Sequence, residues 1–259
     1  MTTNLAGKTA LITGAGRGIG RAIALGLGGA GGRVVLLART AAQLDDTRAL
    51  LLRQKVPGQR IRVVPADLAD GEQRDRAVAA VLAEGVVDIL VNNAATVEPL
   101  GPTAGIAAAD LRLAYEINVV APAALTAAVL PGMLAAGWGR VVNISSGIVA
   151  NPAGMIRANA YAATKAALEA HTVNLAAELR GTGVTVNAYR PGGVDTAMQA
   201  WIREQDPERI GNGLHERFSK NFAEGTLITP AQSASVLLAL LAGDDTGSIW
   251  DVSTVPAGA

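Results

Sequence analysis

Between residues 9 and 92, four short runs rich in β-branched residues recur: Thr9–Thr13, Arg33–Ala38, Arg62–Pro65 and Asp88–Asn92. Each gap leaves room for one helix. Parallel strands cannot be joined by a tight hairpin and need a crossover of that length, so the rhythm predicts βαβ units and a parallel sheet. Runs at Arg140–Ser145, Val184–Tyr189 and Ser248–Val252 bring the expected strands to about seven. They are almost continuously apolar, as strands covered by helices on both faces must be. The expected fold class is α/β, a doubly wound parallel sheet forming one domain over residues 1–259.

Composition narrows the partners. Lys plus Arg equals Asp plus Glu at 22 each, which leaves no surplus charge to hold a nucleic acid or an anionic membrane. With no cysteine and only His171 and His215, thiolate and histidine metal sites are not expected. The start, MTTNLAGKTALITGAG, lacks a basic segment followed by an apolar one, so a cytoplasmic location is expected. Val119–Ala136 carries no charge, yet Pro122, Pro131 and Gly132 interrupt it and alanine dominates. It reads as a buried helix, and no membrane association is expected.

The first strand runs into Thr13-Gly14-Ala15-Gly16-Arg17-Gly18-Ile19-Gly20, followed by helical character over 21–30. Glycines at a strand-to-helix turn allow positive φ and let a pyrophosphate approach backbone N–H groups at the helix N-terminus. The pattern T-G-x-x-x-G-x-G therefore predicts a dinucleotide site on a Rossmann-type sheet, although the strict G-x-G-x-x-G spacing is absent. The second strand ends in Arg39, where a carboxylate would accept bonds from an adenosine ribose. Together with Arg17 it offers guanidinium groups suited to a 2′-phosphate. NADP(H) is expected over NAD(H).

Tyr161 and Lys165 stand four apart at the head of a helical pattern, so the phenol and ammonium share a face. A nearby ammonium favours phenolate, which makes the pair an acid/base candidate. Alone, Y-x-x-x-K is weak, but it is joined in order by the glycine loop, Asp67-Leu68, Asn92-Asn93-Ala94, Asn118, Ser146 and Pro191-Gly192 through Thr196. In these motifs, over essentially its whole length, the chain resembles the classical short-chain dehydrogenase/reductase family. The branch it resembles includes 3-oxoacyl-carrier-protein reductases and related carbonyl reductases.

The resemblance implies that Tyr161 is the acid/base, that Ser146 holds the substrate oxygen, and that Lys165 binds the nicotinamide ribose and lowers the phenol pKa. Asn118 would hold a water in a proton relay. Asp67 and Leu68 would face the adenine, Asn92 and Ala94 the adenosine side, and Pro191, Gly192, Val194 and Thr196 the nicotinamide carboxamide. A homo-oligomer, dimer or tetramer, is implied as well. Three positions depart from the family pattern or leave a choice. Ala95 stands where glycine is usual, the loop 147–159 is enlarged, and Ser145 competes with Ser146.

Residues 195–225 show no strand pattern and read as an irregular substrate lid. Ile148, Met155, Ile156, Met198, Trp201, Phe218 and Phe222 are the apolar residues expected around the substrate, which suggests a small, fairly hydrophobic ketone, aldehyde or alcohol. The competing reading is a catalytically silent dinucleotide sensor or scaffold of the same fold.

Overall fold

The computed structural model describes residues 5–254; residues 1–4 and 255–259 lie outside the described residues. Seven parallel strands form one sheet in the order β3-β2-β1-β4-β5-β6-β7. They are β1 (Thr9–Thr13), β2 (Arg33–Ala38), β3 (Ile61–Pro65), β4 (Ile89–Asn92), β5 (Gly139–Ile144), β6 (Val184–Arg190) and β7 (Ile249–Asp251). The helices α1 (Gly18–Gly29), α2 (Ala41–Arg53), α3 (Gly71–Leu82), α4 (Ala108–Tyr115), α5 (Ala121–Ala136), α6 (Asn159–Glu178) and α10 (Pro230–Leu241) connect them.

The sheet explains why the strands carry so few polar positions. Successive side chains of a strand point to opposite faces. Ala10, Ile12, Val34, Leu36 and Val91 pack on one face against Ile23 and Leu27 of α1, Leu44 and Leu51 of α2 and Leu237 of α10. Leu11, Val35, Leu37, Leu90 and Val141 pack on the other against Val78 of α3, Leu125 and Val129 of α5 and Leu175 of α6. The stretch Ala108–Ala136 is long and apolar enough to cross a membrane by length and composition. Here Leu125, Val129 and Met133 cover one sheet face, though a third of its most apolar window is buried. It is therefore only partly the buried helix expected of Val119–Ala136.

Between α4 and α5 the chain widens into a π-helical turn over Glu116–Val120, a feature frequent at functional sites. Arg74 of α3 braces that turn through Glu116, with Nη1 2.5 Å from Oε1.

The segment 195–225, expected to be an irregular substrate lid, is largely ordered helix. It contains α7 (Ala197–Arg203), α8 (Pro207–Ile210) and α9 (Asn212–Ala223). Thr196 and Asp206 cap the first two by accepting backbone N–H bonds from Gln199 and Glu208. Leu214 and Phe218, one turn apart, bury the inner side of α9 in a third core with Val97, Leu100, Ile148, Tyr161, Ile202 and Ile210. Among the charges that obscured this periodicity, Glu216 and Lys220 are exposed, whereas Arg217 lines the cleft. A bridge between Val194 and Ile228 closes the base of the lid.

Candidate active site

Strand order reverses between β1 and β4, and in open α/β sheets ligands bind at the carboxyl ends of the strands beside such a switch point. A cleft of about 730 Å³ lies there. One end is walled by Gly14, Gly16, Arg17, Gly18, Ile19, Arg39, Asp67 and Leu68, the middle by Ala94, Pro191, Gly192, Val194 and Thr196. The other end is walled by Ser146, Tyr161, Lys165, Ile148, Met155, Met198 and Phe218.

The glycine loop is shaped for a phosphate-bearing ligand. Gly14 and Gly18 adopt φ of +64° and +55°, which side chains rarely tolerate. The first turn of α1 has neither a side-chain cap nor an acidic residue, so its N–H groups and positive dipole end are free to meet an anion. Behind the loop, the fully buried Thr47 donates from Oγ1 to Ala15 O at 2.9 Å, and Arg21 donates from Nε to Gly16 O at 3.0 Å. Neither brace was visible in the sequence, because both act on backbone carbonyls from a helix face that reads as ordinary. Arg17 and Arg39 both reach the cleft, and Arg39 also lies 3.8 Å from Asp67.

Three residues expected at the cofactor hold the frame instead. Asn92 is 2% exposed and donates from Nδ2 to Asn143 Oδ1 at 2.8 Å, on the sheet face away from the cleft. Its neighbour Asn93 is the one that lines the cleft, donating from Nδ2 to Thr13 O at 2.8 Å. Strand alternation already places these two asparagines on opposite faces. Thr13 Oγ1 accepts from the N–H groups of Asn93 and Ala94, each at 2.9 Å, and so pins the end of β1 to the end of β4. Gly20 packs against Gly14 and Asn93.

At the inner end, Tyr161 and Lys165 on α6 are both buried, at 8% and 2% exposure. The Lys165 ammonium lies 5.7 Å from the centre of the Tyr161 ring and donates to Ile144 O at 2.7 Å. Burial pushes the Tyr161 phenol up, while a hydrogen bond with Ser146 pulls it down; Lys165 is not among the causes. In the protein by itself, desolvation therefore dominates the phenol and the lowering by lysine expected from the sequence does not appear. Burial also drives Lys165 down to about 8, partly opposed by Glu169. The two serines are separated by geometry: Ser146 meets Tyr161, whereas Ser145 donates to Glu169 Oε1 at 2.6 Å.

Asn118 is fully buried on the π turn. Its Oδ1 accepts from Thr96 N at 2.9 Å, and its Nδ2 donates to Thr96 O at 2.8 Å and Thr164 Oγ1 at 3.0 Å. The side chain therefore clamps the loop after β4 onto α6.

Three apolar residues expected around the substrate lie outside the cleft lining. Ile156 is 73% exposed, Phe222 is 53% exposed beneath the Arg203 guanidinium, and Trp201 packs on the outer part of the lid core. Polar residues that the sequence reading did not select join the wall instead: Glu98, Gln199, Arg217 and Asn221. Arg217 and Asn221, one turn apart on α9, could be recognised only once that helix was known.

Residues 8–207 match the family model described as short chain dehydrogenase. The chain is 37% identical to L-xylulose reductase of Bos taurus, over 99% of this chain and 97% of that protein. Among solved structures it is similar to a putative NAD(P) dependent gluconate 5-dehydrogenase from Beutenbergia cavernae with bound NADP. That similarity has a TM-score of 0.84 and 32% identity, with 97% of each chain covered. L-sorbose reductase from Gluconobacter frateurii, complexed with NADPH and L-sorbose, matches with a TM-score of 0.84 and 29% identity, again over 97% of each chain.

Proposed function

The chain belongs to the short-chain dehydrogenase family, whose NAD(P)-dependent oxidoreductases interconvert CH–OH and C=O, and from that premise we propose that it uses NADP(H), with Tyr161 as acid/base, on a small carbonyl or alcohol. The observation that carries this reading is the cleft itself, which runs without a break from Arg17 and Arg39 to the buried Tyr161, Ser146 and Lys165.

The nicotinamide supplies or accepts the hydride when bound. Gly14, Gly16, Gly18 and Ile19 would hold the dinucleotide's pyrophosphate at the open N-terminus of α1, and Arg17 and Arg39 would hold the 2′-phosphate. Asp67 and Leu68 flank the adenine, Ala94 the middle of the dinucleotide, and Pro191, Gly192, Val194 and Thr196 the carboxamide. During reduction, charge develops on the substrate oxygen. Ser146 and Tyr161 meet it as two prearranged donors, and Tyr161 gives up its proton. A phenol that burial keeps protonated suits that direction. Lys165 binds the ribose hydroxyls and replenishes the phenol. Because the Asn118 side chain is committed to Thr96 and Thr164, its part in the reaction would be to hold the loop after β4 against the helix that carries Tyr161.

Ile148, Met155, Met198 and Phe218 favour an uncharged and fairly hydrophobic substrate. A second reading, a polyhydroxylated ketose, is favoured by one observation: Gln199, beside Glu98, Arg217 and Asn221 on the cleft wall, has a buried Oε1 without a partner among the described residues. The named activities of the similar reductases agree with that second reading. Purified protein with NADPH, tested on hydrophobic ketones, diketones and five- and six-carbon ketoses, distinguishes the two readings. Cofactor binding with no turnover of any carbonyl or alcohol, in either direction, would identify a silent sensor instead. A homo-oligomer is part of the same proposal, supported by the exposed apolar residues Leu113, Tyr115, Val120 and Val173 on α4, α6 and the π turn.

The cofactor assignment has a sharp test. Each arginine that makes a charge-assisted contact contributes about 1.5–3 kcal/mol, so each alanine substitution should cost roughly 10- to 100-fold in kcat/KM for NADPH. The Arg17→Ala/Arg39→Ala double variant should leave kcat/KM for NADH nearly unchanged. A wild-type protein that uses NADH as well as NADPH, or a double variant with unaltered preference, would refute the assignment.

A further inference from the structure

Glu169 is a buried carboxylate that the chemistry above does not use. It lies one turn beyond Lys165 on α6 and is 5% exposed. Its Oε1 accepts from Ser145 Oγ at 2.6 Å and from Arg190 Nε at 2.8 Å, and its Oε2 accepts from Arg190 Nη2 at 2.8 Å. Ser145 lines the cleft beside Ser146, and Arg190 immediately precedes Pro191 on the cleft wall, so one donor stands on the wall and the other one residue behind it. Ser145 N also donates to Tyr189 O at 2.7 Å, while Lys165 Nζ donates to Ile144 O at 2.7 Å. One carboxylate thus fastens the ends of β5 and β6 to the helix that carries Tyr161 and Lys165.

A bidentate ion pair with a buried carboxylate and a part-buried guanidinium is a costly way merely to join segments, because apolar side chains of similar size often do so at equal or better stability. Its placement suggests a second task. We propose that the Glu169–Arg190 pair is a positioning device for Lys165, holding a carboxylate one turn from the ammonium on α6 and locking the Ser145–Ser146 and Arg190–Pro191 corners onto that helix. The proposal rests on the reading of Lys165 as the group that binds the nicotinamide ribose and serves the phenol.

The charged and titratable groups at this corner are Tyr161 and Glu169 on α6, Arg190 on β6 and Asp251 on β7, whose charge acts on Arg190. β5 presents only the Ile144 carbonyl and the Ser145 hydroxyl. The carboxylate opposes the burial that drives Lys165 towards its neutral form, and the guanidinium moderates the carboxylate.

Opposite signs follow for the two partners. The alkaline limb of kcat/KM, and of NADPH affinity followed by fluorescence titration between pH 6 and 10, reports loss of the Lys165 proton. Glu169→Gln removes the charge that favours the ammonium, so both limbs should move to lower pH by about one unit. Arg190→Gln leaves the carboxylate less neutralised, and the limbs should move to higher pH. The double variant Glu169→Gln/Arg190→Gln, a neutral pair of similar shape, should bring them back close to wild type even if one single variant fails to fold. Limbs that stay at the wild-type pH while kcat falls, or that move in the same direction in both single variants, would overturn the proposal and leave the pair a structural fastening. If no carbonyl is turned over but the NADPH-affinity limb behaves as stated, the enzymatic reading fails and this one stands.

Discussion

Tyr161→Phe should reduce kcat by about 100- to 10,000-fold while NADPH affinity changes less than about twofold, since removing a general acid costs in that range. The ring survives the substitution, and it is the ring that packs with Ile148, Ile202, Leu214 and Phe218 under the lid. Only the hydroxyl, with its Ser146 partner, is lost. Steady-state kinetics with a fluorescence-measured NADPH affinity separates the two effects. A variant that keeps more than a tenth of wild-type kcat would remove Tyr161 from the chemistry. The pH profile adds a sign. Burial raises the phenol pKa, so the donor form persists to high pH, whereas Lys165, pushed down to about 8, loses its proton first as the pH rises. The reductive rate of the wild type should therefore decline first through Lys165.

The sheet was legible because each of its strands is a short apolar run separated by a helix's length of chain, and burial on both faces leaves little polar noise in such runs. The glycine loop was legible for a related reason: positive φ at Gly14 and Gly18 excludes most other residues. Features that depend on which way one side chain turns were harder. Asn92 and Asn93 are chemically identical neighbours, and only the opposite directions of their side chains at the end of β4 make one a core amide and the other a cleft residue. The segment 195–225 was read as irregular because its apolar residues are scattered amid charges, with only Leu214 and Phe218 on the buried side of α9, and an amphipathic helix so short is convincing only when its partner surface is known. Glu169 was invisible as a functional candidate because its meaning lies in Ser145 and Arg190, 24 and 21 residues away in the chain. Spacing along α6 relates it to Lys165; nothing in the sequence relates it to the ends of two strands.

Gly20→Ala and Gly29→Ala should change stability in opposite directions, although both replace a glycine of α1 by the best helix former. In an open helical position the exchange gains up to about 1 kcal/mol. At Gly29 the added methyl meets nothing nearer than Gln54 Oε1 at 4.0 Å, so that gain should appear, reduced by its place in the last turn. At Gly20 the methyl would lie 2.4 Å from both Asn93 Nδ2 and Gly14 O. Neither atom can retreat cheaply. Asn93 is held by Thr13 O at 2.8 Å, and the Gly14 carbonyl belongs to the turn whose positive φ forms the loop. Overpacking of this kind costs about 1–3 kcal/mol, which outweighs the propensity gain. The strain falls on the contact between the β1 and β4 ends and on the first turn of α1, where the pyrophosphate is proposed to sit. Gly20→Ala should therefore lower the urea midpoint and weaken NADPH binding together, whereas Gly29→Ala should raise the midpoint slightly and leave binding alone. Equal stabilisation of both variants would mean that the glycine loop tolerates a Cβ at Gly20, and close packing between the helix and the two strand ends would then not be what holds the phosphate site in shape.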